Sequence, residues 1–110
     1  MKSIQNSLID LVNVAVISPD GVVTYINRNG VSFFRNAHKD DFVGMHVEHF
    51  FGKEETVRIL EKAANGKVYE ICQELHTGPY KSVVFRQKFI PINKNGKLQR
   101  ILMLSCPENV

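Results

Sequence analysis

Apolar positions along this chain follow two periods, one helical and one of alternating strands. Ile4, Leu8 and Leu11 fall at helical spacing among Ser3, Gln5, Asn6, Ser7 and Asp10, which predicts a short amphipathic helix over 1–12. A helix that short is marginal alone in water, so its stripe must pack on something. Val14-Ala15-Val16-Ile17 is too short an apolar run for a helix. The turn-forming Ser18-Pro19-Asp20-Gly21 follows it, and then β-branched and aromatic residues from Val22 to Ile26. Two strands joined by that turn make a hairpin.

The middle of the chain reads as helices. Asn27 suits the cap of a helix over 28–36 that carries Val31, Phe33 and Phe34. A further turn covers 39–43, Gly44 breaks it, and the apolar stretch 45–51 reads as a short irregular helix. Gly52 resets the chain. Residues 53–65 form the strongest helix, with Glu54 and Glu55 near its positive end and Asn65-Gly66 as its stop. Val57, Leu60 and Ala64 mark its expected apolar face.

Three strands are expected after it. Residues 68–75 alternate, with Tyr69, Ile71 and Leu75 opposite Glu70 and Glu74. Thr77-Gly78-Pro79 turns the chain into 80–92, where Val83, Phe85 and Phe89 share a face and Pro91 belongs near a strand end or bulge. Asn95-Gly96 marks a hairpin, expected within a loop of four to five residues. The last strand, 98–105, is apolar on both sides. Leu98, Leu102 and Leu104 point one way, and Ile101 and Met103 the other. A strand apolar on both faces needs cover on both. The expectation is that Ile101 and Met103 lie on the outer face, under the stripe of Ile4, Leu8 and Leu11 or a second subunit.

With 110 residues the chain fits one domain. A net charge of +3, spread through strands and a turn, describes a solvated face and not a nucleic-acid footprint. No apolar run approaches the roughly 20 residues of a membrane helix, and the start lacks signal-peptide features. A cytoplasmic location is expected. Cys72 and Cys106 form no close-spaced motif.

The motifs, in order, resemble the PAS family. Ser18-Pro19-Asp20-Gly21-Val22-Val23 followed by Asn27 is similar to the PAS opening. Asp41-Phe42-Val43-Gly44-Met45 looks like the acidic-apolar-Gly step before the fourth helix. Asn65-Gly66-Lys67 and Ile90-Pro91-Ile92 with Asn95-Gly96 resemble the last three strands. The overlap runs over 11–105, and the nearest flavour is the bacterial sensor or transcription-activator domain. The resemblance implies an α+β fold: a five-stranded antiparallel sheet of order 2-1-5-4-3 with helices on one face. Together with the N-terminal amphipathic helix read from its apolar spacing, the expected organisation is a helix over 1–12, a PAS domain over 13–106, and a tail over 107–110 leading toward an effector domain. Arg100 stands where many members have Gly, and Ser105-Cys106-Pro107 replaces the common Asp-Ile-Thr.

What the resemblance implies for function is sensing: binding of a small molecule and relay to a histidine kinase or transcription regulator. The alternative is a ligand-free dimerisation module, and a haem or flavin redox or gas sensor comes after both. The expected pocket comprises Phe34, Phe42, Phe51, Leu60, Tyr69, Phe85 and Arg86, with Arg86 and Gln87 as polar anchors for an anionic ligand. The expected dimer interface comprises Ile4, Leu8, Leu11, Ile101 and Met103. The histidines are His38, His46, His49 and His76. The helix over 53–65 has none, and the pair His46 and His49 lacks a third ligand. No metal site is expected, and no cofactor is assured. Gly44 to Phe50 has no Cys for flavin photochemistry, whereas non-covalent flavin stays open. No nucleophile elbow or phosphate loop is present, and the adjacent acids Glu54-Glu55 and Asp40-Asp41 point apart on a helix, so no enzyme is expected.

Overall fold

The Ser18-Pro19-Asp20-Gly21 turn closes a hairpin between β1 (Asn13–Ile17) and β2 (Val23–Ile26). Gly21 takes φ +92°, the Gly21 N–H donates to the Ser18 carbonyl at 2.9 Å, and Ser18 Oγ accepts the Val22 N–H at 3.1 Å. The computed structural model describes residues 13–27, 42–78 and 81–108. The helices expected over 1–12 and 28–36 lie outside them.

Among the described residues one helix follows, α1 (Glu48–Ala64), interrupted at Gly52, whose φ of 80° and ψ of 170° no helix accommodates. The reset expected at that glycine is a kink between one short turn and the long segment. The helix closes in a Schellman motif. Gly66 lies at φ +71°, its N–H reaches the Ala63 carbonyl, and the Lys67 N–H reaches the Lys62 carbonyl.

The expected apolar face of α1 is rotated by one residue. Thr56, Ile59 and Ala63 are buried, whereas Val57 is 49 % exposed. That is a turn of about 100° about the helix axis. Both triplets have the same spacing, and Thr56 is buried although a hydrophobicity count does not score it as apolar.

The strands β3 (Tyr69–Gly78), β4 (Lys81–Lys94) and β5 (Lys97–Pro107) complete a sheet of order β2-β1-β5-β4-β3, antiparallel throughout. Asn95 and Gly96 both take positive φ, and Lys94 pairs with Lys97. The hairpin loop is therefore two residues, shorter than expected, as the primed turn favoured by Asn-Gly allows. Pro91 sits beyond the last β3 partner and next to a register shift, so β3 asks no hydrogen bond of its nitrogen.

That shift also corrects the faces of β5. Ile92 pairs with Arg100 but Asn93 pairs with Leu98, which leaves Gln99 as an extra residue on β5. A bulge of this kind reverses the in-out alternation on its far side. Leu98 therefore packs on the core, while Leu102 and Leu104 take the outer face. Ile101 and Met103, expected on the outer face as interface residues, are on the inner one. Ile101 is 0 % exposed, and Met103 packs against both core clusters.

The core joins Ile17, Val23, Val47, Ile59, Ala63, Phe89 and Ile101. Full burial of each large side chain contributes about 1.5–3 kcal/mol, which is what fixes α1 to the sheet. Residues ahead of α1 cover the free edge of β2. Gly44 N–H donates to the Val23 carbonyl at 2.8 Å, Val23 N–H to Met45 at 2.9 Å, and Val47 N–H to Gly21 at 2.8 Å. An edge strand so covered does not invite another chain. Among the described residues, no helix is long and apolar enough to cross a membrane.

Candidate functional site

Between the inner face of the sheet and the start of α1 lies a cavity of about 370 Å³. Its floor is Ala15 and Ile17 on β1, Phe85 on β4 and Met103 on β5. Ile26, Phe42, Phe50 and Phe51 add apolar wall, and exposed His49 stands at the rim. The Phe42 and Phe50 rings stack with centroids 5.7 Å apart, and Phe51 meets Phe89 edge-on at 5.4 Å. These contacts hold the rings in place as a wall.

One row of the floor is polar. Asn13 on β1 pairs with Ser105 on β5, and Ser105 pairs with Gln87 on β4. All three line the cavity, with exposures of 6 %, 3 % and 4 %. They stand side by side on three adjacent strands. Among the described residues, Asn13 Oδ1 and Gln87 Oε1 are buried without a hydrogen-bond partner, as is Thr56 Oγ1 in α1. A buried carbonyl oxygen left unpaired costs about 1–3 kcal/mol. Gln73 also lines the cavity, but its amide is engaged, because Nε2 donates to the Phe50 carbonyl at 3.1 Å. Among the described lining residues there is no Asp, Glu, Lys or Arg.

Near the turn, His46 ties three segments together. Its Nδ1 accepts the Glu48 N–H at 3.2 Å, so its Nε2 carries the proton and donates to the Asp20 carbonyl at 2.9 Å. Asn27 is also engaged with β1, its Oδ1 accepting the Val14 N–H at 3.0 Å.

A family model described as PAS fold matches residues 11–106. The chain belongs to the PAS fold family. Its structure is similar to that of a sensory box sensor histidine kinase from Vibrio cholerae, with 15% identity and a TM-score of 0.71 over 96% of this chain and 90% of that one. A PAS domain of an HTR-like protein from Haloarcula marismortui gives 16% identity and a TM-score of 0.65, covering 94% of this chain and 97% of that one. A light-oxygen-voltage domain studied with a flavin analogue gives 12% identity and a TM-score of 0.71, covering 96% and 84%. At these identities the likeness is one of fold. No curated protein matches the sequence significantly.

In this PAS domain the residues expected to form a pocket separate into three places. Phe42, Phe51 and Phe85 line the cavity. Leu60 and Tyr69 pack against the core instead, and the Tyr69 hydroxyl donates to Glu55 Oε1. That hydrogen bond, and then burial, raise the Tyr69 pKa above its ordinary value. Arg86 is corrected: it lies on the outer face of β4, exposed, in an ion pair with Glu108. Successive strand residues face opposite sides, so Arg86 cannot share the cavity with Phe85 and Gln87. Phe34 lies outside the described residues.

Of the polar row, sequence reasoning names Gln87 as an anchor but misses Asn13 and Ser105. Gln87 interrupts the apolar stripe of Phe85 and Phe89 at the same parity, and Ser105 does the same after Ile101 and Met103. A polar residue inside a core stripe is the signal that points to such a site.

Proposed function

We propose that this PAS domain is a cytoplasmic sensory module. Its cavity takes a small molecule, and the sheet flooring that cavity relays occupancy to an effector domain in a longer protein. The observation that carries the reading is a pair of side-chain amide oxygens, Asn13 Oδ1 and Gln87 Oε1, buried without a partner among the described residues in the wall of a largely apolar cavity. Pockets with an apolar lining and a few placed polar groups are the common form of small-molecule sites. The likeness to a sensor histidine kinase favours a kinase as effector, with a transcription regulator as the other class. The role is binding and relay, with no catalytic step.

Covalent flavin photochemistry does not fit the residues present. The only thiols, Cys72 and Cys106, are exposed and line no part of the cavity. Native mass spectrometry and a visible spectrum of the purified 110-residue chain test the proposal. The expected result is a bound small molecule that denaturation releases, without haem or flavin bands. A bare chain that also takes up no member of a fragment library would overturn it.

Assembly is a second part of the proposal. Val14, Val16, Leu102 and Leu104 form a half-buried apolar group on the outer face, with Val16 paired to Leu102 and Val14 to Leu104. These residues replace Ile101 and Met103 as the sheet side of a homodimer whose other side is the stripe of Ile4, Leu8 and Leu11, which lies outside the described residues. Light scattering should find a dimer that Leu8→Asp with Leu11→Asp dissociates. A monomer at high micromolar concentration would sink this interface.

A further inference from the structure

We propose that the cavity selects uncharged ligands that carry hydrogen-bond donors along one edge, and that Asn13, Ser105 and Gln87 read that edge. The inference rests on the cavity being a ligand site and adds what kind of ligand it takes.

Three observations converge on it. The first is the pair of orphaned oxygens. Asn13 Oδ1 and Gln87 Oε1 belong to side chains more than nine-tenths buried, and both side chains line the cavity. Each needs a donor, and neither finds one among the described residues. With the oxygens turned inward, as they stand, the matching ligand edge carries donors; turning an amide over would present NH₂ and call for an acceptor instead. Register fixes the spacing. Asn13 and Gln87 stand two strands apart, about 10 Å between backbones, with the Ser105 hydroxyl between them. The row can therefore read an edge, where a lone amide would read a single atom.

The second observation concerns charge. The described lining residues include no Asp, Glu, Lys or Arg, with exposed His49 at the rim, and Arg86, the neighbour of Gln87, is turned to the other face and held by Glu108. A carboxylate or phosphate entering here would lose its hydration and gain no Lys or Arg counter-ion among the described residues. The anionic ligand suggested by Arg86 in the sequence is thereby disfavoured.

The third is the remainder of the wall. Phe42, Phe50, Phe51 and Phe85 present rings, and Met103 a polarisable thioether, around the polar row. Such walls suit a flat apolar body.

Three probes of one size test the proposal by NMR titration on the intact chain. Carbostyril is a neutral bicyclic lactam with an N–H donor, N-methylcarbostyril lacks the donor, and naphthoate is an anion. Carbostyril should bind roughly tenfold tighter than its N-methyl form, the value of about one well-made buried hydrogen bond, and should shift the side-chain amide signals of Asn13 and Gln87. Naphthoate should bind weakest. Gln87→Leu should bring carbostyril down to the level of its N-methyl form while leaving the latter's affinity unchanged or higher. Equal binding of the two neutral probes, or tighter binding of naphthoate, overturns the donor-edge proposal and leaves the ligand cavity standing. Binding of none of the three, together with a bare chain in the mass spectrum, overturns the ligand cavity and this proposal with it.

Discussion

The ring of His46 occupies the space in which a side chain at Gly21 would begin: a Cβ there would lie 2.7 Å from Nε2. That same nitrogen is 2.9 Å from the Asp20 carbonyl, and Gly21 itself takes φ +92°. The glycine thus meets two demands, a left-handed backbone and a close approach by the imidazole that ties the turn to α1.

Gly21→Ala should therefore destabilise the domain by roughly 2 kcal/mol, since it adds a close contact to strained backbone. A double-mutant cycle with His46→Ala should recover at least about 0.5 kcal/mol of that, because removing the ring removes the contact but not the strain. Urea denaturation of the four proteins measures both quantities. Strictly additive effects would mean that the ring is not what a side chain at position 21 meets.

Gln87→Leu should stabilise the ligand-free domain by about 1 kcal/mol, because it replaces an unpaired buried polar group with an apolar one of similar volume. Thermal unfolding reads this as a rise of roughly 4–8 °C for a chain of this size. A stability gain accompanied by weaker ligand binding is the pattern of a residue kept for function.

Tyr69→Phe should cost about 1 kcal/mol at neutral pH through loss of the hydrogen bond to Glu55. Because the Tyr69 pKa is raised in the folded chain, chiefly by that bond, its contribution is complete below the ordinary tyrosine value of 10.0. It is lost as pH rises through the higher folded value. Denaturation curves of the two proteins should converge in alkaline solution. A gap that persists there would show that the hydroxyl proton is not the source of the difference.

Ile101→Ala should cost about 2–5 kcal/mol, the range for emptying a filled core position. Leu102→Ala, one residue along on the outer face, should cost clearly less in the monomer, because Leu102 is only half-buried. Equilibrium unfolding at low protein concentration compares them. The reverse order would return the two residues to the faces read from the sequence.

Those faces illustrate what the sequence made legible and what it did not. The strands, their turns and the break at Gly52 were legible because Gly, Asn and Pro mark backbone conformations that other residues avoid. The inner and outer sides of β5 were not. From Ile101 to Leu104 both sides are apolar, and Arg100, which marks the solvent side, stands beside the bulge at Gln99, which reverses parity without a glycine or proline to announce it. The face of α1 was misplaced for a related reason, since Thr56 takes a core position that its residue type does not advertise. Of the site, the phenylalanines were legible as apolar bulk. Arg86 and Gln87 are both read as anchors from their residue type, but neighbours on a strand take opposite sides, and only Gln87 reaches the cavity. The row of Asn13, Ser105 and Gln87 depends on the pairing of three strands distant in sequence, which periodicity within each strand does not specify.

That row also restricts how the sheet can move. If β5 slid by one residue against β1 and β4, Leu104 would replace Ser105 beside Asn13 and Gln87, and Ile101 would leave the core. Sliding by two would restore the faces but set Met103 or Pro107 between the amides and carry the bulge at Gln99 out of its place beside Ile92 and Asn93. Translation along the strands therefore has no small steps available to it. What stays open is a change of twist, which keeps every hydrogen-bonded pair while rotating the strands relative to one another. Twisting displaces a sheet least at its centre and most at its strand ends. Any message from the cavity floor must then emerge as rotation, greatest where β5 runs out past Pro107 and Glu108 is still held by Val84 and Arg86.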